Sequence, residues 1–404
     1  MKIPRSLKFT GKDPGIIGFE KQKLLKALQE KFREEKKETI NDSIMGRVPN
    51  LLVGSYGYPK VNTGFLAGQE IKDEDTPQSW IKNREVGIKD IILKRQSLAN
   101  SRFNVDVKGT NRFSDKMKEV SLSSKALDGE VFFDGLVKKE FSFNIDTLPH
   151  GPVGALRRID VIENAKIPFH VQRAESDIDL KANEAITTLN KRGIDEHFLT
   201  KIVSAGNLGV KHQRKIVPTK WSITLVDDSL GKEYINKVRY HDSARHTFFQ
   251  GSYLGNYYFC MIFPGPWSFE LFETYVGDLK DSSNYASATD YEGGFGRVKY
   301  ANNTAGGYYA SRLAALEYLE KHKIRGRVLL FRFITEEYWA PLGVWVVREA
   351  TRDAFKNEPV YFDSDDALLK HCFNSALAKF RINVNVMYRS SKLLKEIKEQ
   401  RVLA

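Results

Sequence analysis

Between Thr304 and Arg352 the spacing of apolar residues changes period twice, and those changes define the elements expected there. After Gly306-Gly307, Tyr309, Leu313, Leu316 and Leu319 recur at helical spacing. Gly326 breaks the chain, and Arg327 to Ile334 reads as a strand buried on both faces. Val344 to Val347 reads as a second short strand leading into a helix from about Arg348. Two charges sit where the pattern should be apolar. Arg312 falls inside the helical stripe between Leu316 and Leu319, and Arg332 shares a strand face with Val328, Leu330 and Ile334.

The remaining segments are read the same way. Lys21 to Lys37 predicts a helix with Leu24, Leu25, Leu28 and Phe32 on one side, after a polar arm over residues 1–20. Asn50 to Phe65 predicts a strand, a Gly/Pro turn and a second strand. Asp73 to Trp80 reads as an acidic turn with a helix start at Thr76-Pro77, and no clean period follows up to about Lys125. Ala182 to Arg192 predicts a helix, Trp221 to Val226 a strand after Pro218, and Tyr253 to Phe263 an aromatic strand region. Ser268 to Val276 fits a short strand or a helix. Ile382 to Tyr388 reads as a strand, followed by a helix capped by Ser390 or Ser391 that carries Leu393, Leu394 and Ile397. The polar run from Gly277 to Gly296 marks a boundary. The expectation is a mixed α/β fold of the α+β kind, a two-part chain with mixed sheets flanked by helices. Residues 1–45 form an arm and helix, 46–290 the longer part and 291–404 the shorter.

Charge narrows the function classes. The 404 residues are 41% hydrophobic and carry a net charge of +12 with a pI near 9.3. That describes a globular chain drawn to a polyanion, nucleic acid first, with a generally Lys-rich surface as the plain alternative. Cys260 and Cys372 stand far apart in apolar surroundings, which excludes a disulfide scaffold and a cysteine zinc site. No apolar run has membrane-spanning length and the N-terminal segment has no hydrophobic signal region, so a soluble, cytoplasmic, nucleoid-associated protein without a membrane partner is expected.

Three groups of residues carry candidate chemistry. Ser204 to Gly209 (SAGNLG) runs into Lys211, His212, Arg214 and Lys215, with Lys220 and Trp221 close behind. Glycines admit a ligand to the backbone and the basic tail suits phosphates, although no P-loop or GxGxxG is present. Arg312, Arg332, Arg348 and Arg352 form either a second anion site or an ion-pair network answered by Glu336 or Glu349. Trp221, Tyr257, Tyr258, Trp267, Tyr308, Tyr309, Trp339 and Trp345 are candidate stacking platforms, of which about two are expected to touch a ligand. Glu336, Glu349 and Asp227 are the catalytic candidates if the protein is an enzyme acting on DNA or on a nucleotide-derived cofactor. A nuclease of that kind would use Mg²⁺; no other cofactor is expected.

The GYPKV run at Gly57 to Val61, SAGNLG, VPTKWSIT at Val217 to Thr224, YYASRLAALEYL at Tyr308 to Leu319 and PLGVWVVRE at Pro341 to Glu349 occur in this order over nearly the whole chain. Together they resemble the archaeal Nre family of DNA-repair proteins. The resemblance implies a two-part chain, a role in the response to DNA damage, DNA as partner, and association with the replication sliding clamp. Two departures qualify it. The N-terminal cysteine cluster common in the family is missing from Met1 to about Lys23, so no metal is expected there. Gln400 to Ala404 supplies the glutamine and aliphatic residue of a clamp-binding box but not its aromatics, which argues against clamp binding through this tail.

Overall fold

The computed structural model describes residues 39–40, 42–69, 76–135, 137–138, 142–144, 146–276 and 287–402. The helix expected over Lys21 to Lys37, the arm before it, most of the acidic turn and the last two residues lie outside the described residues. The fold is mixed α/β, as expected. Two compact units divide the described chain, one over 25–230 with 340–343, the other over 231–339 and 344–404.

The first unit is built on a closed barrel of five strands: β1 (Ser43–Val53), β2 (Lys60–Gly68), β3 (Ala99–Asp106), β4 (Leu127–Phe133) and β5 (Val153–Val161). Their order around the barrel is β1-β2-β3-β5-β4. Neighbours are antiparallel except β3 and β5, which run parallel with Asn100 opposite Val153 and Arg102 opposite Ala155. Two short helices, α1 (Pro77–Lys82) and α2 (Ile88–Gln96), follow β2, and α3 (Arg112–Leu122) joins β3 to β4. This order, with the parallel pair and the helix between the third and fourth strands, is the connectivity of an OB barrel. Period-two alternation fills its interior with Val61, Phe65, Phe103, Val105, Val131 and Phe133, and Met117 of α3 packs among them.

Four helices complete this part of the chain: α4 (Phe169–Ser176), α5 (Ala182–Lys191), α6 (Glu196–Ser204) and α7 (Thr219–Val238). The strand expected at Trp221 to Val226 is the first part of α7. Its β-branched and aromatic residues mimic a strand, but Pro218 accepts from the N–H groups of Trp221 (2.9 Å) and Ser222 (3.0 Å) and opens a helix instead.

The second unit is a six-stranded sheet between two helical layers. Its strands are β6 (His246–Tyr253), β7 (Asn256–Phe263), β8 (Ser268–Tyr275), β9 (Ser287–Glu292), β10 (Arg327–Ile334) and β11 (Val360–Phe362), ordered β9-β8-β10-β7-β6-β11. Only β8 and β10 pair in parallel. Helices α8 (Gly306–His322) and α9 (Trp345–Ala354) cover one face. The other face packs Phe248, Met261, Phe272, Leu329 and Phe331 against α10 (Asp365–Phe380), α11 (Asn385–Ser390) and α12 (Lys392–Val402). All eight residues of β10 are buried, as its unbroken apolar pattern requires. Val344–Val347 and Ile382–Tyr388, expected as strands, are instead the approach to α9 and to α11 and parts of those helices. Runs this short do not distinguish the two periods. Among the described residues no helix is long and apolar enough to cross a membrane.

Candidate nucleic-acid interface

Two buried arginines of the second unit, Arg312 and Arg332, form ion pairs. Arg312 Nη1 donates to Glu292 Oε2 at 2.9 Å with both side chains fully buried, and Glu292 Oε1 also accepts from Trp267 Nε1 at 3.2 Å. The Arg312 guanidinium lies 5.3 Å from the centre of the Tyr309 ring. Arg332 pairs with Glu273 and donates through Nε to Asn256 Oδ1 at 3.0 Å. Arg352 grips Glu317 with two bonds of 2.6 and 2.7 Å and Glu349 with a third of 2.8 Å. Arg348 is 2% exposed on the same helix.

Arg312 and Arg332 thus stand in ion pairs, with carboxylates other than the Glu336 or Glu349 expected. Glu273 and Glu292 answer the arginines; Glu336 is exposed and Glu349 meets Arg352. A guanidinium already matched to a carboxylate in a dry interior has little to offer a phosphate. Burial also pushes the Tyr258 phenol beside Arg332 up to about 12. Asp227 is fully buried in α7. Glu270 and Glu273 point to opposite faces of β8, Glu273 toward Arg332 and Glu270 toward the N-terminus of α12. Among the described residues no cluster of three or more His, Cys, Asp or Glu could hold a metal ion.

The Gly-basic segment lies at one end of the barrel. Gly206 has φ +79°, and a Cβ there would stand 2.6 Å from the carbonyl oxygen of Lys215. The glycine therefore lets the returning segment pass against α6, and Ile216 drops into the barrel core. Backbone bonds fix that segment: Ile216 N–H donates to Val107 at 2.8 Å and Val217 N–H to Ser204 at 3.0 Å. Arg214 is spent on structure, donating to the carbonyls of Gly209 (2.7 Å), Glu175 (2.8 Å) and Asp177 (2.7 Å). Lys211, His212 and Lys215 stay on the surface, with Lys220 half-buried on the first turn of α7. We expect Gly206→Ala to cost about 1–3 kcal/mol, because it combines a disfavoured φ with a backbone clash. A urea melt with the wild-type midpoint would show that the segment is not held this way.

The sequence reading missed the neighbour of this segment. The β1–β2 turn, Gly54 to Pro59, presents Tyr56 at 92% exposure and Tyr58 at 40%. The Tyr58 and Trp221 rings meet edge to face with centres 5.1 Å apart, and Trp221 is 42% exposed. Lys215 Nζ donates to the Tyr58 hydroxyl at 3.1 Å. Gly57 turns the chain with φ +79°, and the turn is braced by Val107 N–H to Pro59 O at 3.0 Å and Val53 N–H to Thr219 Oγ1 at 2.9 Å. The usable signal was the Tyr-Gly-Tyr-Pro turn itself, because turn aromatics face water. Of the other aromatic candidates, Tyr258, Trp267, Tyr308, Tyr309 and Trp345 are core, Tyr257 is half-buried and Trp339 is exposed in the second unit. The Gln400 side chain accepts from Arg327.

Two family models match this chain, archaeal Nre N-terminal over residues 18–278 and archaeal Nre C-terminal over 292–404. Curated relatives extend over most of it. The DNA repair protein NreA of Haloferax volcanii is 35% identical over 348 residues, covering 81% of this chain and 82% of that protein. The DNA repair protein NreB of Archaeoglobus fulgidus is 34% identical, covering 82% and 85%. The DNA repair protein NreA of the same organism is 33% identical, covering 84% and 88%. With both halves matched and identity above 30% across four-fifths of its length, the chain belongs to the archaeal Nre family.

Proposed function

We propose that this protein is a DNA-repair factor that binds DNA through the rim of its barrel, with Lys211, Lys215 and Lys220 contacting phosphates. The observation that carries the reading is the rim itself. These lysines form no ion pair among the described residues, whereas the buried Arg312 and Arg332 of the second unit do. The relatives' names as DNA repair proteins supply the biological setting. OB connectivity alone would not assign a function, since folds host many. Arg214, Arg312, Arg332 and Arg352 are structural in this reading, and His212 stands exposed beside Lys211.

The test is fluorescence anisotropy of the full chain with labelled DNA over a salt series, with and without Mg²⁺. Replacing Lys211, Lys215 and Lys220 together by Gln should reduce the slope of log affinity against log salt by about 2 for a single strand. At 0.15 M salt the affinity should fall roughly 50-fold. An unchanged slope overturns the assignment. Product formed only with Mg²⁺ would replace it with a nuclease, and Glu349 and Asp227 would then be the residues to substitute.

A further inference from the structure

We infer that the barrel rim takes single-stranded DNA, with bases stacking on Tyr58, Trp221 and Tyr56 while the lysines follow the backbone. The inference rests on the DNA-binding reading above and adds the strand form and the residues that select it. Three observations lead to it. First, the exposed aromatics are grouped: two lie on one turn, and the third is on the helix that the turn touches. Exposed rings of this size are ordinary when scattered, but a group beside lysines matches the composition of single-strand sites.

Second, the platform is held before any ligand arrives. Backbone bonds tie the turn to Val107 and Val107 to Ile216, and the Val53 N–H of β1 donates to the Thr219 hydroxyl at the start of α7. Lys215 is fixed to the Tyr58 hydroxyl, which places an ammonium at the edge of the ring on which a base would lie. Ordering costs on binding are therefore small. Third, the site lies on the loop between the first and second strands, with Lys60 leading into the second strand. That loop and the second and third strands are where barrels of this connectivity hold extended oligonucleotides. Asp106 faces Lys60 across the β2–β3 register. Paired bases in a duplex do not expose their faces, so the rings select against it.

The experiment compares a fluorescent 15-nucleotide oligothymidylate with a blunt duplex of equal length, using the full chain. The single strand is expected to bind at least tenfold more tightly. Tyr58→Ala with Trp221→Ala should lower single-strand affinity roughly 10- to 100-fold and leave duplex binding within threefold. Tyr58→Phe with Trp221→Phe keeps the stacking faces and should restore single-strand affinity to within threefold. Trp221 emission should be quenched by oligothymidylate in the wild type, and that part of the quench should vanish in Trp221→Phe. Equal binding of both DNA forms, lost with the lysines but indifferent to the aromatics, overturns this inference and keeps the function proposed above. No binding to either form overturns both. The Phe variant separates lost stacking from misfolding, because it keeps a ring at both positions and gives up the Tyr58 hydroxyl to which Lys215 donates.

Discussion

Replacing Glu292 by Ala is expected to destabilise the second unit by about 3–5 kcal/mol, the cost of leaving a buried charge without its partner. Arg312 and Glu292 are each fully buried and 2.9 Å apart, so water cannot replace the lost carboxylate without opening the layer between β9 and α8. The guanidinium retains its contacts with the Tyr309 and Tyr308 rings, at 5.3 and 6.0 Å, worth about 2 kcal/mol, which does not replace a lost charge partner. Trp267 also loses its acceptor. Replacing both partners, Arg312→Leu with Glu292→Leu, should recover much of the loss, since an apolar pair of similar volume needs no desolvation. Urea unfolding followed by tryptophan emission would measure both. A single-variant loss below 1 kcal/mol, or a double variant as unstable as the sum of the singles, would show that the pair does not hold this layer together.

The second large effect is on pH. Burial pushes the His150 imidazole down to about 4, opposed by the Gly151 carbonyl and reinforced by Arg102 and Arg95. Nδ1 lies 2.9 Å from the Gly151 oxygen and Nε2 is 3.4 Å from the Asn100 amide, an arrangement that suits the neutral ring. Above the unfolded value of 6.5 both states are neutral and the residue exacts no penalty. Between 6.5 and 4 only the unfolded chain takes the proton, so stability falls with falling pH. The loss from this group is about 2 kcal/mol by pH 5 and about 3 by pH 4. His150→Gln should be less stable than wild type at pH 7 and should lose that disadvantage progressively toward pH 5. A difference between the two that is constant from pH 7 to pH 5 would rule the mechanism out. Because His150 ties the β4–β5 connection to β3, acid should loosen that connection first.

What could be read beforehand follows from the range of the interaction involved. β10 and α8 were legible because their apolar periods are long and bounded by Gly306 and Gly326. The misplaced charges at Arg312 and Arg332 were legible for the same reason. Their partners were not, because Glu273 and Glu292 come from neighbouring strands 59 and 20 residues away in sequence. The barrel was invisible too. Its closure depends on β1 meeting β4 and β3 meeting β5, and helices α1 and α2 interrupt the strand pattern between β2 and β3. Lys211, His212 and Lys215 of the Gly-basic segment are exposed, whereas the partners of Arg214 were illegible because they are backbone carbonyls, two of them nearly 40 residues away. Trp221 was picked out as a stacking residue for the wrong element, a strand rather than a helix.

The carboxylate of Glu270 has a consequence for the order of assembly. It accepts from the Ser391 hydroxyl and from the N–H groups of Lys392 and Leu393, and so closes the N-terminus of α12 from 121 residues away. A segment of eleven residues is too short to stay helical alone in water, and its cap here is supplied largely by a strand of the sheet. The last helix must therefore wait until β8 is in place. Until then the sheet face carrying Phe272 and Phe331 lacks the cover of α12, leaving apolar surface open to a neighbouring chain during refolding.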